Sequence, residues 1–122
     1  MSAHNQLQEE LISEFVSLDP GNGKAIVCDR NQQQVEIVTA GAETRTLPDP
    51  NAGGLSLSIV MRTDGGDCVI AASSPINQTG NNRVTLNDTG DTVVLLSICK
   101  AGSASTFRWK IVANDGASLT TV

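Results

Sequence analysis

The feature that most constrains this chain is a change of hydrophobic period at residues 19–23 (DPGNG). Before it, apolar residues recur at helical spacing. After it, short runs alternate apolar with polar residues and are cut by Asp/Gly turns. Alternation with one wet face specifies a strand lying on a core. Many such strands at short intervals specify an all-β domain.

The alternating runs are residues 24–30 (KAIVCDR), 34–39 (QVEIVT) and 43–47, the last closed by Pro48 and Pro50 and therefore edge-like. In residues 55–62, Leu55, Leu57, Ile59 and Met61 face one way and Ser56, Ser58 and Arg62 the other. A strand with one wet face predicts an antiparallel sheet. Residues 63–67 (TDGGD) read as a hairpin turn whose glycines supply positive φ, with residues 68–72 returning from it. Residues 83–86 follow, then a second turn, NDTGD. Residues 92–100 form the most apolar strand, predicted to be central and buried on both faces. Residues 106–113 direct Phe107, Trp109 and Ile111 inward, and residues 118–122 offer a last strand. No βαβ alternation appears.

The expected fold is thus mostly β: an antiparallel β-sandwich or jelly-roll domain over residues 23–122. A short amphipathic helical arm, residues 1–22, precedes it. A chain of 122 residues suits one such domain. Its core must be aliphatic, since there is no tyrosine, one tryptophan and two phenylalanines. In the arm, the helical pattern covers residues 4–18, with Leu7, Leu11, Phe15 and Leu18 on one stripe and Glu9, Glu10 and Glu14 on the wet side. A helix this short must dock on something, either the flank of its own β-domain or a neighbouring subunit.

Charge separates the two parts. Residues 1–20 carry four acids and no Lys or Arg. The remainder sets nine acids against eight bases. Phosphate binding needs a basic footprint, so nucleic acid is not an expected partner. No apolar run is long enough for a membrane helix, and the first residues lack the pattern of a secretory signal, which predicts a cytoplasmic origin.

Catalytic chemistry is hard to assemble. The sole histidine, His4, lies in the arm, which removes the usual base for a serine or cysteine nucleophile. Cys28, Cys68 and Cys99 are too widely spaced for a metal knuckle and read as buried strand residues. Asp64, Asp67, Asp88 and Asp91 could ligate calcium, but Asp with Gly is also ordinary turn chemistry. No enzyme activity, cofactor or metal is expected. Residues 73–83 (SSPINQTGNNR) make a long polar loop, with Asn77, Asn81 and Arg83 as candidate partner contacts beside Leu7, Leu11, Phe15 and Leu18 of the arm.

From Thr44 onward the chain resembles small structural proteins of tailed bacteriophages. The resemblance is carried by TRTLPDPNAGG, LSLSIVMRTDGGDCVIAASSPINQTGNN, VTLNDTGDTVVLLSI and FRWKIVANDGASL, about two-thirds of the chain. Similar successions occur in head-decoration, or capsid cement, proteins, and related wording occurs in fibre and spike modules. The resemblance implies a sandwich or β-tulip-like domain, often trimeric, on the virion surface. There it would bind the major capsid protein and stabilise the head without catalysis. The alternative it implies is a fibre or spike module recognising cell-surface glycan.

Overall fold

The computed structural model describes residues 16–122. Ten strands run in order: β1 (Val16–Ser17), β2 (Lys24–Ala25), β3 (Gln33–Val38), β4 (Glu43–Leu47), β5 (Ser56–Thr63), β6 (Cys68–Ala72), β7 (Arg83–Leu86), β8 (Thr92–Cys99), β9 (Phe107–Asp115) and β10 (Ser118–Thr120). They form two five-stranded sheets, A in the order β1-β3-β5-β8-β9 and B in the order β10-β7-β6-β4-β2. The expected sandwich is present. The expected helix falls mainly on residues 1–15, outside the described residues. Its last residues are not helical, because Val16–Ser17 pairs in parallel with Gln34–Val35 of β3.

The sheets are mixed rather than antiparallel, which also excludes a jelly roll. The chain alternates between sheets through its first six strands, so β1, β3 and β5 lie parallel in one sheet and β2, β4 and β6 parallel in the other. Strands β5, β8 and β9, and β6, β7 and β10, pair antiparallel. Parallel strands are usually covered on both faces because helices make their crossovers. Here the crossover from one parallel strand to the next is a strand of the facing sheet. Each parallel strand therefore buries one face and keeps the alternating pattern of an antiparallel one.

The same geometry corrects the expected hairpin. TDGGD carries the chain from β5 in sheet A to β6 in sheet B. Its glycines also serve a different purpose from the one expected, since neither Gly65 nor Gly66 has positive φ. A Cβ on Gly65 would collide with the backbone of Thr39 and Ala40, and one on Gly66 with that of Gly41 and Ala42. Thr39 Oγ1 donates to Gly66 O at 2.6 Å and accepts from Gly65 N at 3.0 Å, so two loops are sealed backbone to backbone.

Between the sheets, β3 supplies Val35 and Ile37, β5 Leu57, Ile59 and Met61, β8 Val93 and Leu95, and β9 Trp109. From sheet B come Leu47, Cys68, Ile70, Ala72, Val84 and Leu86. Trp109 is inward as expected, its Nε1 donating to Pro48 O at 3.0 Å, while Phe107 and Ile111 are half-buried. The run 24–30 is a strand only at Lys24–Ala25. Past Ile26 it leaves the sheet and is held by Gln33, whose Nε2 donates to Val27 O and whose Oε1 accepts from Asp29 N. Strand β8 lies next to the edge strand β9, with β5 at the centre of the sheet, and it is not buried on both faces, because Val94, Leu96 and Ile98 point out of the sandwich. Of the cysteines only Cys68 is buried. Cys28 is intermediate and Cys99, at the end of β8, is exposed.

Gly66→Ala should lower stability by about 1–3 kcal/mol, the usual cost of forcing atoms into a packed contact. Gly41→Ala, whose added Cβ meets nothing within 4 Å, should change it by less than about 0.5 kcal/mol. Urea unfolding of the two variants measures the difference, and equal midpoints would contradict the packing role.

Candidate functional site

Among the described residues, the densest cluster of charges gathers around an inward position of the sandwich. Arg45 occupies an inward position of β4, between Glu43 and Leu47, and is fully buried. Its Nε donates to Asp19 Oδ1 at 2.8 Å and its Nη2 to Asp19 Oδ2 at 2.7 Å, a bidentate pair. Glu43 Oε1 lies 3.0 Å from the same Nη2, and Nη1 donates to Thr44 O at 3.0 Å. Asp19 also accepts from the amides of Gly21 and Val38.

Burial pushes the Asp19 carboxyl up, but Arg45 and the Val38 and Gly21 amides outweigh it and hold the group below its ordinary value. Glu43 is lowered mainly by the Ala40 amide, with Arg45 adding to the effect. The Asp19 hydrogen bonds, opposed by burial, raise Arg45 further above its ordinary value. Cys68 lies opposite Glu43 in the β4–β6 ladder, and burial pushes its thiol up to about 11. A thiol so placed stays protonated at neutral pH and is no nucleophile. The cluster is a clamp in which one buried guanidinium is shared by two partly exposed carboxylates.

Two of the four turn acids, Asp64 and Asp91, are likewise engaged in local structure. Asp64 Oδ1 accepts from Gly66 N, and Asp91 Oδ2 accepts from the amides of Asn87 and Asp88. The two turns meet, since Asp64 N donates to Thr89 Oγ1 at 3.2 Å. Among the described residues no three His, Cys, Asp or Glu side chains gather into a metal-holding group.

The loop 73–83 is built rather than loose. Asn77 Oδ1 accepts from Gly80 N and Asn81 N, and Asn77 Nδ2 donates to Asn81 Oδ1 at 2.8 Å. Asn81 Nδ2 reaches Thr121 Oγ1, and Arg83 donates to Asn82 O. Ile76 is fully buried and its carbonyl accepts from Ile111 N, which pins the loop to β9. Asn77 therefore spends its polar groups inside the loop, Asn81 divides its own between the loop and Thr121, and Arg83 lies on the outer side of β7. Leu18 is 93% exposed at the margin of sheet A, where it lines a shallow groove with Val16, Glu36, Val38 and Arg62. Leu7, Leu11 and Phe15 lie outside the described residues.

What the candidate residues omitted is the outer face of sheet A. Along the ladder, Val16, Gln34, Ser58, Val94 and Ala113 form one row, and Ser56, Leu96 and Lys110 another, with Ile98 beside Arg108 beyond it. Leu96 is 36% and Val112 56% exposed. The outer face of sheet B is different in kind, with rows of Thr44, Val69, Thr85, Ser118 and Thr46, Ala71, Arg83, Thr120. A signal for this asymmetry was present in the sequence: the run VVLLSI leaves no polar parity, so one apolar row of β8 had to face outward or meet a partner.

The clamp makes stability dependent on acid. A carboxylate lowered in the folded state contributes stability that is complete above its unfolded value and is lost as pH falls through the folded one. With ordinary values of 3.8 for Asp19 and 4.5 for Glu43, urea midpoints should hold from neutral pH to about 4.5 and decline below it. Asp19→Asn should start lower at neutral pH and lose less on acidification. Arg45→Ala should lower stability at neutral pH by about 1.5–3 kcal/mol, the usual range for losing hydrogen bonds to a charged group. A midpoint unchanged from about pH 5 to about pH 3 would contradict the clamp.

The chain matches no family model and no curated protein.

Proposed function

We propose that this protein is a non-enzymatic virion structural protein, a capsid decoration protein. It would act as a homotrimer that binds the outside of the major capsid protein lattice and stabilises the head. The observation that carries the reading is the outward apolar row of β8, in which Leu96 is exposed between half-buried Val94 and Ile98, with half-buried Val60 and exposed Val112 nearby. A strand whose inner face is packed and whose outer face is apolar suits a subunit that completes its burial by assembling. The clamp and the sealed loops give a stiff body that can bridge neighbouring coat subunits by binding energy alone. The phage-like succession from Thr44 onward supports placing that assembly on a capsid. Glycan recognition draws less support, since Trp109 is buried against Pro48 and the described residues present no exposed aromatic platform.

In sedimentation the protein should run as a trimer and co-pellet with capsids of its phage, and heads lacking it should break at lower temperature. Leu96→Asp should abolish assembly while keeping the β-sheet circular dichroism, whereas Thr46→Asp on the opposite sheet should assemble normally. Virions devoid of the protein would sink the capsid reading, and unaltered assembly of Leu96→Asp would remove its surface.

A further inference from the structure

The outer face of sheet A has two unlike ends. The end holding Leu96, Lys110, Ile98 and Arg108 combines apolar and basic residues with no acid in those rows. The acids of the face, Glu36 and Asp115, lie toward the other end, where Arg62 meets Glu36 at 3.5 Å. Beside Ser56 at the basic end, the 29–31 turn carries Asp29 and Arg30, which pair with each other and add no net charge.

The fifteen residues before Val16 have the complementary character. They contain Leu7, Leu11, Ile12 and Phe15 with Glu9, Glu10 and Glu14, and no Lys or Arg. Fifteen residues reach about 22 Å as a helix and about 50 Å extended. A five-stranded face is about 19 Å across, so either form crosses it. Val16 pairs with Gln34, one residue inside the start of β3, so the chain enters sheet A from beyond its basic end. A segment arriving from there meets the basic end of an adjacent copy without doubling back over its own sheet.

We infer that residues 1–15 of one copy dock on the outer face of sheet A of the next. Leu7, Leu11 and Phe15 cover Leu96 and Ile98, and the three glutamates face Lys110 and Arg108. In the trimer proposed above, arm and face being different surfaces of one chain, the contact runs head to tail around the threefold axis. This rests on the assembly reading above and names the partner of its surface, while leaving the capsid contact to other parts of the molecule.

Two experiments on the full chain test it. First, Lys110→Glu should weaken self-association about tenfold, the size expected of a few solvent-screened pairs, and adding Glu9→Lys, Glu10→Lys and Glu14→Lys should restore it. No weakening, or no restoration, overturns the docking. Second, a Leu11→Cys, Leu96→Cys double variant, with Cys28 and Cys99 changed to Ser, is treated with a short bis-maleimide. Products of two and three linked chains are expected on a denaturing gel. A product linked within one chain overturns docking on a neighbour, and so does an unlinked one. Failure of the wild type to co-pellet with capsids, with linked chains still formed, would overturn the capsid reading alone.

Discussion

The structure depends on a cation in its core. Arg45 stands where the alternation of β4 would otherwise place an aliphatic side chain, and a lone charge there would be prohibitively costly. Asp19 and Glu43 answer it, one from the link between β1 and β2 and one from β4 itself. The Asp19 carboxylate also receives Val38 N at the end of β3. One guanidinium thereby ties together the first two turns of a chain that winds between the sheets. A slip of one residue in the β4–β6 ladder would turn Arg45 to solvent and put Thr44 or Thr46 in the core. The ion cluster penalises that slip far more than an aliphatic residue would, so it secures register as well as contributing stability.

Much of the strand content was legible because alternation reports a dry and a wet face directly. Leu57, Ile59, Met61 and Trp109 were placed inward on that signal and are buried. Strand direction was not legible. Alternation is the same for an antiparallel strand and for a parallel strand whose crossover lies in the facing sheet. TDGGD says that the chain reverses without saying which sheet receives it. The extent of the run 24–30 was overstated for a related reason: Ile26 and Cys28 keep the parity of a strand while Gln33, rather than a neighbouring strand, meets the backbone.

The clamp was missed for want of a partner within reach of a local reading. Arg45 shares parity with Leu47, and that alone marks it as inward. Asp19 lies 26 residues earlier in a segment rich in turn residues, where an aspartate already has a reason to be present. Asn77 and Asn81 show the converse. Their polarity read as availability, yet each side-chain amide is already engaged, Asn77 within the loop and Asn81 with both Asn77 and Thr121. Exposure of polar residues is a poor guide to contact surfaces, since loops must satisfy their own backbone first.

The two halves of the sandwich divide the physical work. The parallel turns, β1 to β6, carry the clamp and the backbone-sealed loops, features that resist deformation. Across the sheet junction β8 and β9 are joined antiparallel, with a bulge between Val94 and Leu95 that leaves Val112 exposed. Bulges bend an edge and re-aim side chains, and this one adds an apolar residue to the outward face. The outer rows of sheet B are mainly threonines, with Val69, Ala71, Arg83 and Ser118 among them. One sheet thus carries an outward apolar row on β8 while the other carries a mainly hydroxyl-bearing face, a difference that follows from β8 having apolar residues at both parities.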